Sequence, residues 1–95
     1  LILLEWATTG LLSLAEQLQA AGEVVGIMLP GDVNIGRPYL IYRWGEMTDQ
    51  EELARRLFAG LRELDAAGAT VIVCPLPAEE GLGVAIRDRL LKAAR

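Results

Sequence analysis

Histidine is absent from this sequence, and cysteine, lysine and serine occur once each, as Cys74, Lys92 and Ser13. Without an imidazole there is no triad or dyad built on a histidine base. A single thiol allows no disulfide framework, and with no histidine beside it no zinc or iron site of thiolates and imidazoles. Basic residues are also outnumbered: 9 lysines and arginines face 13 aspartates and glutamates, for a net charge of −4. Nucleic-acid binders show a basic patch that displaces condensed counterions, so no direct nucleic-acid partner is expected. No apolar run approaches the roughly 18 residues that span a bilayer. The opening Leu1-Ile2-Leu3-Leu4 is too short for a signal-peptide core and has no basic flank. A cytoplasmic protein with no membrane contact is expected. Low-complexity tracts and solenoid-length repeats are missing too.

What remains is a 95-residue chain that is 53% hydrophobic, which fits one domain burying roughly 60 to 65% of its unfolded surface. The chain opens on Leu1 rather than Met, so residues are expected upstream.

Periodicity divides the chain into alternating elements. Leu1 to Ala7 reads as a strand closed by Thr8-Thr9-Gly10, and Leu11, Leu14, Ala15 and Leu18 recur at helical spacing up to a C-terminal Gly22. Val24 to Leu29 is a strand apolar on both faces, as a parallel sheet between helix layers requires. Pro30-Gly31-Asp32 ends it. A link to Pro38 then leads to a third strand, Tyr39 to Trp44; a parallel crossover usually takes a dozen residues or more, so either this link is extended or a single helical turn, or the strand is an antiparallel edge. Thr48-Asp49-Gln50-Glu51 fits a capping box for a helix with the stripe Leu53, Leu57, Leu61 and Leu64, the ion pairs Glu51/Arg55 and Glu52/Arg56, and Gly68 beyond its end. Thr70 to Cys74 is a fourth strand, and a last helix follows Gly81-Leu82-Gly83.

The sum is an α/β fold: a small three-layer Rossmann-like domain with a mostly parallel four-stranded sheet and helices on both faces. Right-handed crossovers suggest the strand order 3-2-1-4.

Open α/β sheets bind ligands at the carboxyl ends of their strands. Here that edge holds Thr8 and Thr9, Asp32, Glu46, and the Gly81/Gly83 turn. Backbone amides at Gly81 and Gly83, with the hydroxyls of Thr8 and Thr9, are the candidate cofactor-binding set for a phosphate or nucleotide. The alternative is a tight strand-to-helix turn, since Glu79 and Glu80 already complement the helix dipole and neither GxGxxG nor GxxxxGK[ST] is present. Arg87 and Arg89 are candidate contacts for a partner, or simply solvated. Tyr42 and Trp44, on the edge strand, are a candidate aromatic docking face, or pack under the helices. Cys74, in an apolar strand with no cation near it, reads as an inert core thiol. Asp32 and Glu46, acids at strand ends, could hold a ribose or a metal, or are simply solvated in their loops; no residue is assigned as catalytic or as a metal ligand.

The last stretch carries a more specific pattern. Glu79 to Ala94 runs E-E-G-L-G-x-A-I-x-x-R-L-x-K-A-A, and Ala54, Leu57, Phe58, Leu61, Arg62, Leu64, Asp65 and Gly68 fall in a helix of matching form one strand earlier. These residues resemble the C-terminal accessory domain of the threonylcarbamoyl-AMP synthase family, specifically over Glu51 to Arg95 and topologically before that. Asp88 departs from the family's usual asparagine, and the link from Pro30 to Pro38 is shorter than usual. The resemblance implies a single accessory domain over residues 1–95. Its parent would be a nucleotidyltransferase-type enzyme making threonylcarbamoyl-adenylate from L-threonine, bicarbonate and ATP, with a divalent metal, for tRNA modification. The family's lysine-x-arginine and serine-x-asparagine motifs do not occur here, so no catalytic residue and no bound cofactor carry over. The expected partner is the catalytic domain of the same polypeptide. Two rivals remain open: an independent small-molecule or nucleotide-binding module, and a self-associating domain forming a weak homodimer.

Overall fold

Strands with apolar residues on both sides need cover on both sides, and that requirement sets the architecture. The computed structural model describes residues 1–36 and 38–94, and at Thr8 the backbone alone. Its elements are β1 (Ile2–Glu5), α1 (Thr8–Ala20), β2 (Val25–Pro30), β3 (Leu40–Gly45), α2 (Gln50–Ala66), β4 (Val71–Leu76) and α3 (Leu82–Ala93). The four strands form one all-parallel sheet, with α1 on one face and α2 and α3 on the other.

The strand order is β1-β4-β2-β3, which corrects the expected 3-2-1-4. Strand β4 lies between β1 and β2, so β2 and β4 are central and β1 is an edge. Both orders allow right-handed crossovers with α1 and α2 on opposite faces, so handedness alone does not separate them. Burial does. In β4, Val73 joins the core under α1 and Cys74 the core under α2 and α3, both without exposure, whereas no residue of β1 is fully buried. Backbone pairing agrees: the Thr70 N–H donates to the Val24 carbonyl at 2.9 Å and the Val24 N–H to the Thr70 hydroxyl at 2.8 Å, aligning β4 beside β2. The β2–β4 ladder stops at Ile27 and Val73, two residues before Pro75, whose nitrogen has no hydrogen to donate.

Strand β3 is parallel, and the described residues of the short link, 31–36 and 38–39, form turns and irregular chain with no helix. Val33, Ile35 and Tyr39 from that link pack on the core beneath α1, covering sheet that a crossover helix would otherwise cover. The Arg43 guanidinium, on the same side of β3, donates to the Val33 carbonyl and at 3.0 Å to Asn34 Oδ1.

Helix ends follow the sequence with one shift. Gly22 and Gly68 take φ of +93° and +104° just past α1 and α2, as their positions predict. The cap of α2, however, is Asp49 rather than Thr48: its Oδ1 accepts from the Glu52 N–H at 3.2 Å. The expected Glu52/Arg56 pair forms at 3.3 Å, while Arg55 pairs with Glu52 as well, in place of Glu51. Among the described residues no helix is long and apolar enough to cross a membrane.

Candidate functional site

Because all four strands run the same way, the loops that follow them gather along one edge of the sheet. Three of these loops enclose a cleft of about 260 Å³ lined by Trp6 after β1, Pro30, Gly31, Asp32 and Val33 at and after β2, and Glu46, Met47 and Thr48 after β3. Asp32 and Glu46 were legible as strand-end acids. Trp6 and Met47 were not, because nothing in the sequence says that the loops after β1 and β3 meet across the end of the sheet.

Gly81 and Gly83 lie at the start of α3, on the same edge. Gly81 takes φ +55°, and a Cβ on Gly83 would stand 1.9 Å from the Ala78 carbonyl oxygen. The Gly83 N–H donates to the Glu80 carbonyl at 2.9 Å and the Val84 N–H to the Gly81 carbonyl at 3.3 Å, so two amides of the turn are engaged within it. The glycines therefore have a structural requirement of their own: a tight turn that lets α3 start against Ala78. Thr8 and Thr9 form the first turn of α1, after the adjacent strand β1; Thr9 is exposed, and the Thr8 side chain lies outside the described residues.

The expected aromatic docking face on β3 needs correction. Trp44 has no exposure and Tyr42 is 9% exposed, because β3, although an edge strand, has α2 over this face. The Trp44 Nε1–H donates to the Leu53 carbonyl at 2.9 Å, and the Tyr42 hydroxyl accepts from Arg56 Nε at 3.2 Å while that guanidinium sits 5.1 Å from the ring centroid. Both side chains anchor α2.

The two arginines of α3 diverge. Arg87 reaches back to β1, with Nη2 at 2.8 Å and Nη1 at 3.3 Å from the Glu5 carboxylate, and Nη1 also donates to the Pro77 carbonyl at 2.9 Å. That fork holds the Glu5 carboxyl below its ordinary range and Arg87 above its own. Glu5, closing a strand of leucines, was the available signal for this pair. Arg89 stays exposed, 6.0 Å from the Phe58 ring centroid, and lines a shallow groove between α2 and α3 with Ala54, Leu57, Leu82, Ala85 and Ile86. Phe58 and Leu82 are 44% and 46% exposed there, a large apolar display for such a small domain. Cys74 is buried, and burial pushes its thiol far above the ordinary range, which makes it a core residue and not a nucleophile. Among the described residues no group of three or more histidines, cysteines, aspartates and glutamates is placed to hold a metal ion.

A family model described as "Threonylcarbamoyl-AMP synthase, C-terminal domain" matches residues 2–95. This chain belongs to that family. The match reaches well before Glu51, so the resemblance of the last two helices extends through β1, α1 and β2. A threonylcarbamoyl-AMP synthase from Pyrococcus abyssi is 33% identical over 81 residues, which is 85% of this chain and 22% of that protein. A solved structure of Sua5 from P. abyssi, carrying two alanine substitutions, aligns with a TM-score of 0.76 at 31% identity, over 97% of this chain and 26% of that one. As a threonylcarbamoyl-AMP synthase C-terminal domain, the chain thus spans about a quarter of the length of these relatives.

Proposed function

We propose that this chain is the accessory domain of a threonylcarbamoyl-AMP synthase, docking on the catalytic domain of the same polypeptide and supplying no reacting group itself. The observation that carries the reading is the family match over residues 2–95 in relatives of which the chain covers about a quarter. The parent's reaction, on this reading, joins L-threonine, bicarbonate and ATP into threonylcarbamoyl-adenylate for transfer to tRNA. The α2–α3 groove suits the docking role: Ala54, Leu57, Leu82, Ala85 and Ile86 give it an apolar floor, and Phe58 and Arg89 stand at its margin. Large apolar side chains left half in water beside a single arginine at a groove between helices suit a domain interface.

The encoding reading frame is the first test, and a frame without a synthase catalytic domain sinks the proposal. In a frame that has one, Phe58→Asp and Leu82→Asp introduced together should loosen the domain. Interdomain linker cleavage by a trace protease should rise and threonylcarbamoyl-AMP formation fall, with the melting temperature of the C-terminal domain unchanged. Unaltered cleavage and turnover would mean that the groove is not the docking face.

A further inference from the structure

The cleft at the carboxyl edge of the sheet shares no lining residue with the α2–α3 groove, so its chemistry stands independently of the docking role. At about 260 Å³ it falls just short of the roughly 300–1,000 Å³ of sites that take drug-sized ligands, which sets the scale of an occupant at a small metabolite or one long side chain. Its lining is graded. Pro30 is buried and Trp6, Val33 and Met47 are half-buried, forming an apolar base, while Asp32, Glu46 and Thr48 stand exposed at the rim. The two acids come from different loops that are fixed to each other: the Gly31 N–H donates to the Gly45 carbonyl at 2.9 Å. Glu46 leans over the β2 loop, so that a Cβ on Gly31 would stand 3.9 Å from its Oε2. Among the described residues, no arginine or lysine lines the cleft.

An indole, a thioether and two carboxylates around one small cavity suit a ligand that is itself graded. Two carboxylates repel an anion, and the apolar base offers nothing to a bare hydrated metal ion, whose oxygen ligands would have to come from the exposed rim alone. An alkyl chain, by contrast, covers apolar surface while its charged end stays at the rim, and an indole attracts a cation near its face. We propose that this cleft binds a cationic head group, a guanidinium or primary ammonium, carried on a short aliphatic stem. The stem lies against Trp6, Val33 and Met47, and the head sits between Asp32 and Glu46.

The probes are agmatine, N-acetylarginine methylamide and 1-pentanol, titrated calorimetrically into the full polypeptide that carries this chain at low and high salt. Agmatine represents a free amine, the arginine derivative a basic side chain presented by a peptide, and pentanol the stem without charge. At least one cation should bind, weakening as salt rises, with pentanol silent. Asp32→Asn and Glu46→Gln should each weaken binding by roughly two- to fivefold, as expected when one charged contact is lost from a site open to water. Because both acids are exposed, these variants should melt as the parent does, so a lost heat reports lost binding. Tighter binding of agmatine assigns the site to a free metabolite and tighter binding of the arginine derivative to a basic side chain; either supports the cation site. Silence from both cations, equal binding of pentanol, or affinities indifferent to the two substitutions overturns it.

Discussion

The two faces of the sheet are built by different means. On one, α2 and α3 close over Met28, Tyr42, Trp44, Leu53, Leu57, Leu64, Cys74, Ile86 and Leu90. Helix, strand and side-chain hydrogen bonds reinforce one another there, as in the Trp44 bond to Leu53 and the Arg56 bond to Tyr42. On the other, a single helix supplies Leu11, Leu14, Ala15 and Leu18 over Val25, Ile27, Leu29 and Val73, and Trp6 and the irregular link carrying Val33, Ile35 and Tyr39 add the remaining cover. A link without a helix lacks the repeating hydrogen bonds that stiffen one, so this side depends on what ties the link down. The difference teaches that a parallel crossover can be made without a helix, provided the connecting chain itself serves as the missing layer.

The largest effect is expected on the two-helix face. Trp44→Ala removes a fully buried indole and leaves its partner carbonyl and a large void, costing about 3–5 kcal/mol in urea denaturation; a loss under about 1 kcal/mol would show that this face is less tightly built than its contacts imply. Gly60→Ala comes next. An added Cβ would lie 2.6 Å from both Met28 Sδ and the Tyr42 ring, so α2 must lift or both side chains must move, at about 1–3 kcal/mol. Restoring space with Met28→Ala in the same chain should recover part of the loss if the clash is the cause.

Arg43→Ala tests the other face. It frees the Val33 carbonyl and the Asn34 side chain from the link's tie, and about 1 kcal/mol is expected. The sharper readout is hydrogen exchange: protection should fall in α1 and β3, which the link packs against, and hold in α2 and α3. Equal loss of protection on both faces would erase the distinction between them.

The smallest effect belongs to Glu5. Arg87 lowers its folded pKa below the unfolded value, so the bridge stabilises the fold above the unfolded carboxylate pKa and is lost as pH falls through the folded one. Arg87 remains charged throughout that window. Stability of the parent should therefore decline on acidification more than that of Glu5→Gln, the two curves converging at low pH. Parallel curves would mean that the bridge contributes nothing.

Much of this was legible in the residues. Uniform apolarity marked β2 as covered on both sides, Gly22 and Gly68 marked where α1 and α2 end, and the Glu79 to Ala94 pattern marked the family. The strand order was not, because handedness admits two arrangements and the choice depends on whether β1 or β4 is buried on both sides. Glu5 in the first strand and the unbroken Val71-Ile72-Val73-Cys74 in the fourth point to β4, but they are weak cues beside a rule that satisfies both orders. The aromatics of β3 were ambiguous for a related reason: alternation pairs Tyr42 with Trp44 on one side without saying which side, and an edge strand in a three-layer fold still has two covered faces. The cleft was half visible, as two acids at strand ends; its apolar base belongs to loops whose meeting depends on the order of the strands.

That order also governs assembly in time. Among the described residues, strand β1 pairs with β4 alone, and β1 and β2 share no ladder without residues 71–76 between them. The N-terminal half, complete with its own helix, can therefore form no continuous sheet as it leaves the ribosome. It must wait for the fourth strand, and closure of the domain is a late, long-range event that exposes the apolar flanks of both strands until it occurs.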